Sequence, residues 1–182
     1  NYIRGDRSME GTAPNNYPTD KPYRQRHSIQ GDIINSDVWY TGAPAGNSRL
    51  NGYAAFVRNN QSRPAMLYVG GNDGMLHGFT AKKGEEKLAY VPRGVIPTLT
   101  YLSAPAYNDS HKYFVDGTPM TGDVDLNGGM QDPKASGYDA YTPDWRTLLV
   151  GTLGAGGKGY FVLDVTNPTA TAAPGGSAAA CV

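Results

Sequence analysis

Asp123, Asp125 and Asn127 fall at alternate positions in Asp123-Val124-Asp125-Leu126-Asn127-Gly128, which is the D-x-D-x-N-G opening of a calcium loop. In such a loop alternate side-chain oxygens converge on a hard cation, and the glycine makes the sharp turn. The bidentate glutamate of the twelfth position is missing here. Lys134 stands in its place, and Asp132 is the acid that could substitute as fourth ligand. The competing reading makes Asp123 and Asp125 carboxylates at the end of a strand beside a turn. Arg4-Gly5-Asp6 is the integrin tripeptide. It works only on an exposed loop tip, and its alternative is a local Arg4–Asp6 pair. The three histidines, His27, His77 and His111, have no metal-ligand spacing and no nucleophile beside them, so structural roles are expected. Asp73 and Asp164 read as acceptors for turn or strand amides. The glycine-dense run Gly151–Gly159 lacks GxxxxGK[ST], so it reads as a tight turn between strands rather than a phosphate loop.

The stretch that organises the chain is Leu67–Pro92, LYVGGNDGMLHGFTAKKGEEKLAYVP. It alternates strand formers with glycine-rich turns, so it predicts a meander of short antiparallel strands, the shape of a propeller blade. Leu76 and Gly78 are expected on one face, with Met75, His77 and Phe79 on the other. Trp145–Val150, a glycine-rich turn and Tyr160–Val165 echo the same pattern, and Gly122-Asp123-Val124 echoes Gly31-Asp32-Ile33. The offset is roughly 80–90 residues, longer than a blade of ~40–50, so long loops decorate the repeat. Further strands are expected at His111–Asp116 and Pro119–Leu126. Tyr53, Phe56 and Val57 are spaced for a short helix within Asn51–Asn59. One helical turn is expected around Arg7–Glu10 and another short helix at Thr98–Leu102. Asn127–Pro143 reads as a long loop.

Three parts follow from this: an irregular approach segment over 1–26, a partial propeller over 27–168, and an Ala/Gly/Pro-rich linker or insert over 169–182. The fold class is all-β, a quinoprotein-like β-propeller, incomplete, with long loops and minor helices. Propellers typically close with about four to eight blades, so a chain of this length reads as a fragment whose edges are either docked or open. The composition agrees. Only 39% of residues are hydrophobic, while Gly (24), Pro (13) and Tyr (13) are abundant, a balance that suits short strands and turns and argues against a helical bundle. Lys and Arg total 16 and Asp and Glu total 16, which removes any electrostatic case for nucleic acid. No apolar run approaches the ~18 residues of a membrane helix. The single cysteine, Cys181, permits no internal disulfide.

Five stretches resemble one family. They are IRGDRSME (Ile3–Glu10), YRQRHSIQGDIINSDVWYTGAP (Tyr23–Pro44), YVGGNDGMLHGFTAKKGEEKLAYVPRGV (Tyr68–Val95), HKYFVDGTPMTGDV (His111–Val124) and WRTLLVGTLGAGGKGYFVLDVTNP (Trp145–Pro168). In this order they resemble the PilY/PilC family of type IV pilus tip adhesins and assembly factors, within its C-terminal propeller. The resemblance implies an exported protein at the pilus tip, cell surface or outer membrane. It also implies that the protein supports pilus assembly, opposes retraction and mediates attachment. Minor pilins are the implied partners, and a host-cell receptor is implied for Arg4-Gly5-Asp6. Departures are small: the family usually has alanine where Gly71 and Gly78 stand and aspartate where Thr80 stands. Its calcium loops lie outside the part covered here, so they do not carry over to Asp123, Asp125, Asn127 and Asp132. PQQ dehydrogenases share the propeller, but their A-x-D-x-x-T-G-x-x-W turn is not reproduced. Phe79–Glu86 keeps a Gly-Glu turn and leads to Leu88 or Tyr90 where the tryptophan belongs. Neither PQQ nor an enzymatic activity is expected.

Overall fold

The computed structural model describes residues 1–12, 16–46, 49–127, 136 and 141–169. Two antiparallel meanders form the frame. The first sheet is β1 (Trp39–Thr41), β2 (Met66–Gly70), β3 (Leu76–Thr80) and β4 (Glu86–Tyr90), paired in that order. The second is β5 (Met120–Asp125), β6 (Trp145–Thr152) and β7 (Tyr160–Asp164). The two echoed strand pairs are therefore β2–β3 and β6–β7, as the repeat predicts. The third echo fails, because Gly31-Asp32-Ile33 forms no strand, and the first sheet starts instead at Trp39. All pairings are antiparallel, with a register shift at Gly78/Phe79. Between β2 and β3 the Gly71 amide reaches the Met75 carbonyl at 2.9 Å, and Gly74 takes φ 92°, a left-handed value that a side chain disfavours.

The expected helix at Tyr53–Asn59 is present and is labelled α1. The helix expected at Thr98–Leu102 is part of a longer 3-10 run, Arg93–Ser103, with Pro97 inside it. The turn expected at Arg7–Glu10 is a single turn closed by the Glu10 amide on the Arg7 carbonyl, while the 3-10 helix of this region lies earlier, at Tyr2–Arg4.

His111–Asp116 is not a strand. Phe114 and Val115 are fully buried, but their amides do not join a ladder. The Phe114 amide donates to Asn72 Oδ1 at 3.1 Å, and the Val115 amide to the Gly71 carbonyl. The Asp116 and Gly117 amides donate to the carbonyls of Leu153 and Thr152. This crossover runs between two glycine backbones. A Cβ on Gly70 would lie 2.3 Å from the Val115 carbonyl oxygen, and one on Gly156 would lie 1.9 Å from that of Phe114. Strand-forming residues are read correctly as buried here, but the donors are taken by loops on both sides.

One core joins the sheets: Met66, Tyr68 and Leu76 from the first, Leu149, Phe161 and Leu163 from the second, with Phe114 and Val115 among them. Tyr90 and Phe161 meet with ring centroids 5.3 Å apart. The alternate residues of the same strands point away from this core. Tyr40 on β1, Met120 and Val124 on β5, Val150 on β6 and Tyr160 on β7 are exposed. The second sheet thus carries an exposed apolar row on the face turned from the core, whereas on the first sheet Val69 and His77 of the corresponding face are buried. Among the described residues no helix is long and apolar enough to cross a membrane.

Candidate functional site

The N-terminal segment is fastened to the core through its described residues. Arg26 and Glu10 are both buried, and Arg26 Nε meets Glu10 Oε1 at 2.6 Å. The same guanidinium donates to the Tyr2 carbonyl at 2.8 Å and the Asp6 carbonyl at 3.0 Å, and it lies over the Tyr2 ring at 3.7 Å. Burial pushes the Glu10 carboxyl up, but hydrogen bonds from Arg26 and Arg7 outweigh it and leave the group below its ordinary range. Nothing in the linear pattern of 1–26 announces this pair; only the tyrosines hint at packing.

Arg4-Gly5-Asp6 sits on top of that pair. The 3-10 turn Tyr2–Arg4 ends at Gly5 with φ 93°, and the Gly5 amide donates to the Tyr2 carbonyl at 3.0 Å. Arg4 and Asp6 are exposed, and no ion pair joins them among the described residues. Asp6 Oδ1 accepts the Ser8 amide at 2.8 Å, which holds the pKa of its carboxyl below the ordinary value. The tripeptide is therefore presented on an ordered turn.

The acids of the D-x-D-x-N-G run have other work. Asp123 Oδ1 accepts the Thr147 hydroxyl at 2.6 Å and Oδ2 accepts the Tyr53 hydroxyl. Arg63, which also holds the Gly42 carbonyl, donates to the same Thr147 hydroxyl at 2.6 Å. The chain α1–Asp123–Thr147–Arg63 thus ties the helix, the second sheet and the start of β2 together. Asp125 Oδ1 accepts the amides of Asn127 and Asp144, and Oδ2 accepts the Tyr141 hydroxyl. The Asn127 side-chain amide donates to the Thr142 carbonyl at 2.6 Å. Asp125 and Asn127 thus tie the end of β5 to residues 141–144, while Asp123 works within the strand, opposite Thr147. Asp132 lies outside the described residues. Among the described residues no three His, Cys, Asp or Glu side chains are grouped to hold a metal ion.

His77 is buried between two carboxylates. Its Nδ1 is 2.6 Å from Glu86 Oε1, and its Nε2 is 3.0 Å from Asp73 Oδ2. Asp73 also accepts the amides of Gly31 at 2.8 Å and Met75 at 3.2 Å, the turn role expected of it. Asp164 accepts the Thr166 amide at 2.9 Å in the same manner. Burial pushes the His77 imidazole down, but Asp73 and then Glu86 push it further up, so it ends above its ordinary 6.5. Only the imidazolium can donate to both acids. A raised folded value means that this contribution is complete below 6.5 and is lost as pH rises through the raised value. Thermal melting followed from pH 6 upward should therefore show a falling melting temperature that His77→Gln flattens; a wild-type profile already flat across that range would contradict the bridge.

Two open antiparallel meanders that share one core and are joined by a buried crossover define an incomplete β-propeller. Residues 30–174 match the family described as the PilY1 beta-propeller domain, and the chain belongs to that family. It is 43% identical over 93% of its length to a type IV pilus biogenesis factor PilY1 homolog of Xylella fastidiosa. It is 36% identical over 92% of its length to the type IV pilus biogenesis factor PilY1 of Pseudomonas aeruginosa. The chain spans 13% of the length of each of these relatives. The crystal structure of the Pseudomonas aeruginosa PilY1 C-terminal domain is similar at a TM-score of 0.49 and 32% identity, over 71% of this chain and 23% of that one.

Proposed function

We propose that the chain acts in type IV pilus biogenesis as a non-enzymatic propeller segment of an exported protein at the pilus tip. There it contacts minor pilins, supports assembly against retraction and contributes to attachment. The observation that carries this reading is the identity of 36–43% to relatives that are type IV pilus biogenesis factors. The side chains add support. Glu10, Arg26, Asp73, His77 and Asp116, the buried acidic and basic side chains among the described residues, are each engaged in holding backbone or another side chain. An activity of the quinoprotein type is the alternative that turnover of an alcohol with added PQQ and a dye acceptor would establish.

The test is removal of 30–174 from the whole protein in a strain that depends on it for pili. Surface pili and twitching are expected to disappear while the shortened protein is still exported. Normal piliation would overturn the reading. The exposed Arg4-Gly5-Asp6 turn supports a host-receptor contact within the same function. Asp6→Glu should then reduce binding to immobilised integrin and leave piliation intact. A second reading, docking of minor pilins alone, is favoured by the positions of β4 and β7 at the ends of their sheets among the described residues, which suit strand addition. Retention of minor pilins together with unchanged integrin binding of Asp6→Glu would select it.

A further inference from the structure

A cleft of about 340 Å³ opens between segment 24–32 and the chain from Leu102 to His111, and Tyr2 and Ile3 line it just before the Arg4-Gly5-Asp6 turn. Its volume falls in the lower part of the range of ligand sites, ~300–1,000 Å³. The charged groups in it can be sorted by what already neutralises them. Asp32 Oδ2 takes His111 Nε2 at 2.9 Å and the Asn72 side-chain amide at 3.3 Å. Asp73 takes His77 and two backbone amides. Arg26 is spent on Glu10 and the carbonyls of Tyr2 and Asp6.

Arg24 is the remainder. Its Nε donates to the Leu102 carbonyl at 3.1 Å, and its guanidinium lies 4.4 Å over the Tyr107 ring with the Tyr2 hydroxyl alongside. No carboxylate meets it among the described residues. His27, exposed on the same rim, forms no ion pair among them either. The uncommitted charge of the cleft is therefore positive. Stacking on Tyr107 already fixes the guanidinium plane, so little conformational freedom remains to be lost on binding. Its planar fork matches a carboxylate in two-point contact. A phosphate would carry a second negative charge into a cleft that also contains Asp32 and Asp73. Beside Arg24 the wall is apolar, with Ile3, Leu102 and the half-exposed Ile29.

We propose that this cleft binds a peptide carboxylate with an apolar neighbour, the Arg24 fork taking the carboxylate and the Ile3–Ile29 wall the apolar side chain. The carboxylate is either a chain terminus or an Asp or Glu side chain. A ¹⁵N NMR titration separates the two with three probes: acetyl-Gly-Leu-Leu with a free terminus, acetyl-Leu-Glu-Leu amide, and acetyl-Gly-Leu-Leu amide as the neutral control. Saturable shifts at Arg24, Ile29 and Tyr107 are expected with one or both carboxylate probes and none with the control. Arg24→Lys keeps the charge without the fork and should weaken binding about tenfold or more. Ile29→Glu, a change at an exposed position, should abolish it by placing a competing carboxylate at the rim. Equal binding of the neutral control, shifts confined elsewhere, or no saturable shift up to about 10 mM probe would overturn the proposal.

Discussion

Arg26→Ala is expected to cost about 3–5 kcal/mol, the usual penalty for leaving a buried carboxylate without its partner. Glu10 would keep the Arg7 contact, but Arg7 is largely exposed and its hold on Glu10 is correspondingly weaker. The loss extends beyond the ion pair, since Arg26 also ties down the Tyr2 and Asp6 carbonyls and covers the Tyr2 ring. The 3-10 turn below Arg4-Gly5-Asp6 should therefore loosen along with the global loss. Urea denaturation gives the first quantity, and hydrogen exchange at the Arg4 and Gly5 amides gives the second. Glu10→Gln tests the charge separately: it retains a hydrogen-bond acceptor and should cost less than Arg26→Ala. Exchange at Arg4 and Gly5 unchanged in Arg26→Ala would show that the turn stands without it.

Asp123→Ala is the second large effect. It strands the hydroxyls of Thr147 and Tyr53, both within buried residues, and deprives the half-buried Arg63 of the carboxylate nearest its network. Each orphaned buried group costs ~1–3 kcal/mol, so the two hydroxyls together give an expected loss of about 2–6 kcal/mol. Asp123→Asn should recover part of this, because one acceptor oxygen survives. If these hydrogen bonds are the whole of Asp123's work, the loss should be equal in calcium and in EDTA. A loss that appears only in calcium would return Asp123 to the role of a ligand. Asp125 and Asn127 are then the residues to vary next.

The strands of both meanders were legible because alternation and glycine turns are local signals. Leu67–Pro92 folds almost residue for residue as its pattern suggests, and α1 follows from the spacing of Tyr53, Phe56 and Val57. Phe114-Val115 shows where such signals stop. Its composition is that of a strand, yet its amides go to Asn72 and Gly71, and those of Asp116 and Gly117 that follow go to Leu153 and Thr152, partners far away in sequence. Asp123 and Asp125 show the same limit for sites. Their spacing is that of a calcium loop, but a carboxylate's role is set by which donors reach it, and Tyr53, Thr147 and Tyr141 reach these two from other segments. The Arg24 cleft had no linear signature at all, because its walls come from four separate stretches of chain. Conversely, Asp73 and Asp164 were readable, since their acceptor roles are completed within a few residues.

The crossover between Gly70 and Gly156 also bears on how the protein comes to be assembled. Its three layers, the β2 end, Phe114–Asp116 and the Gly154–Gly156 turn, are stacked in the order in which a ribosome delivers them. Each layer can be laid on a surface that is already complete, and no later segment has to slip beneath an earlier one. A side chain at Gly156 would therefore act late, when the last layer closes, leaving β2 and β3 paired and the second sheet unable to seat.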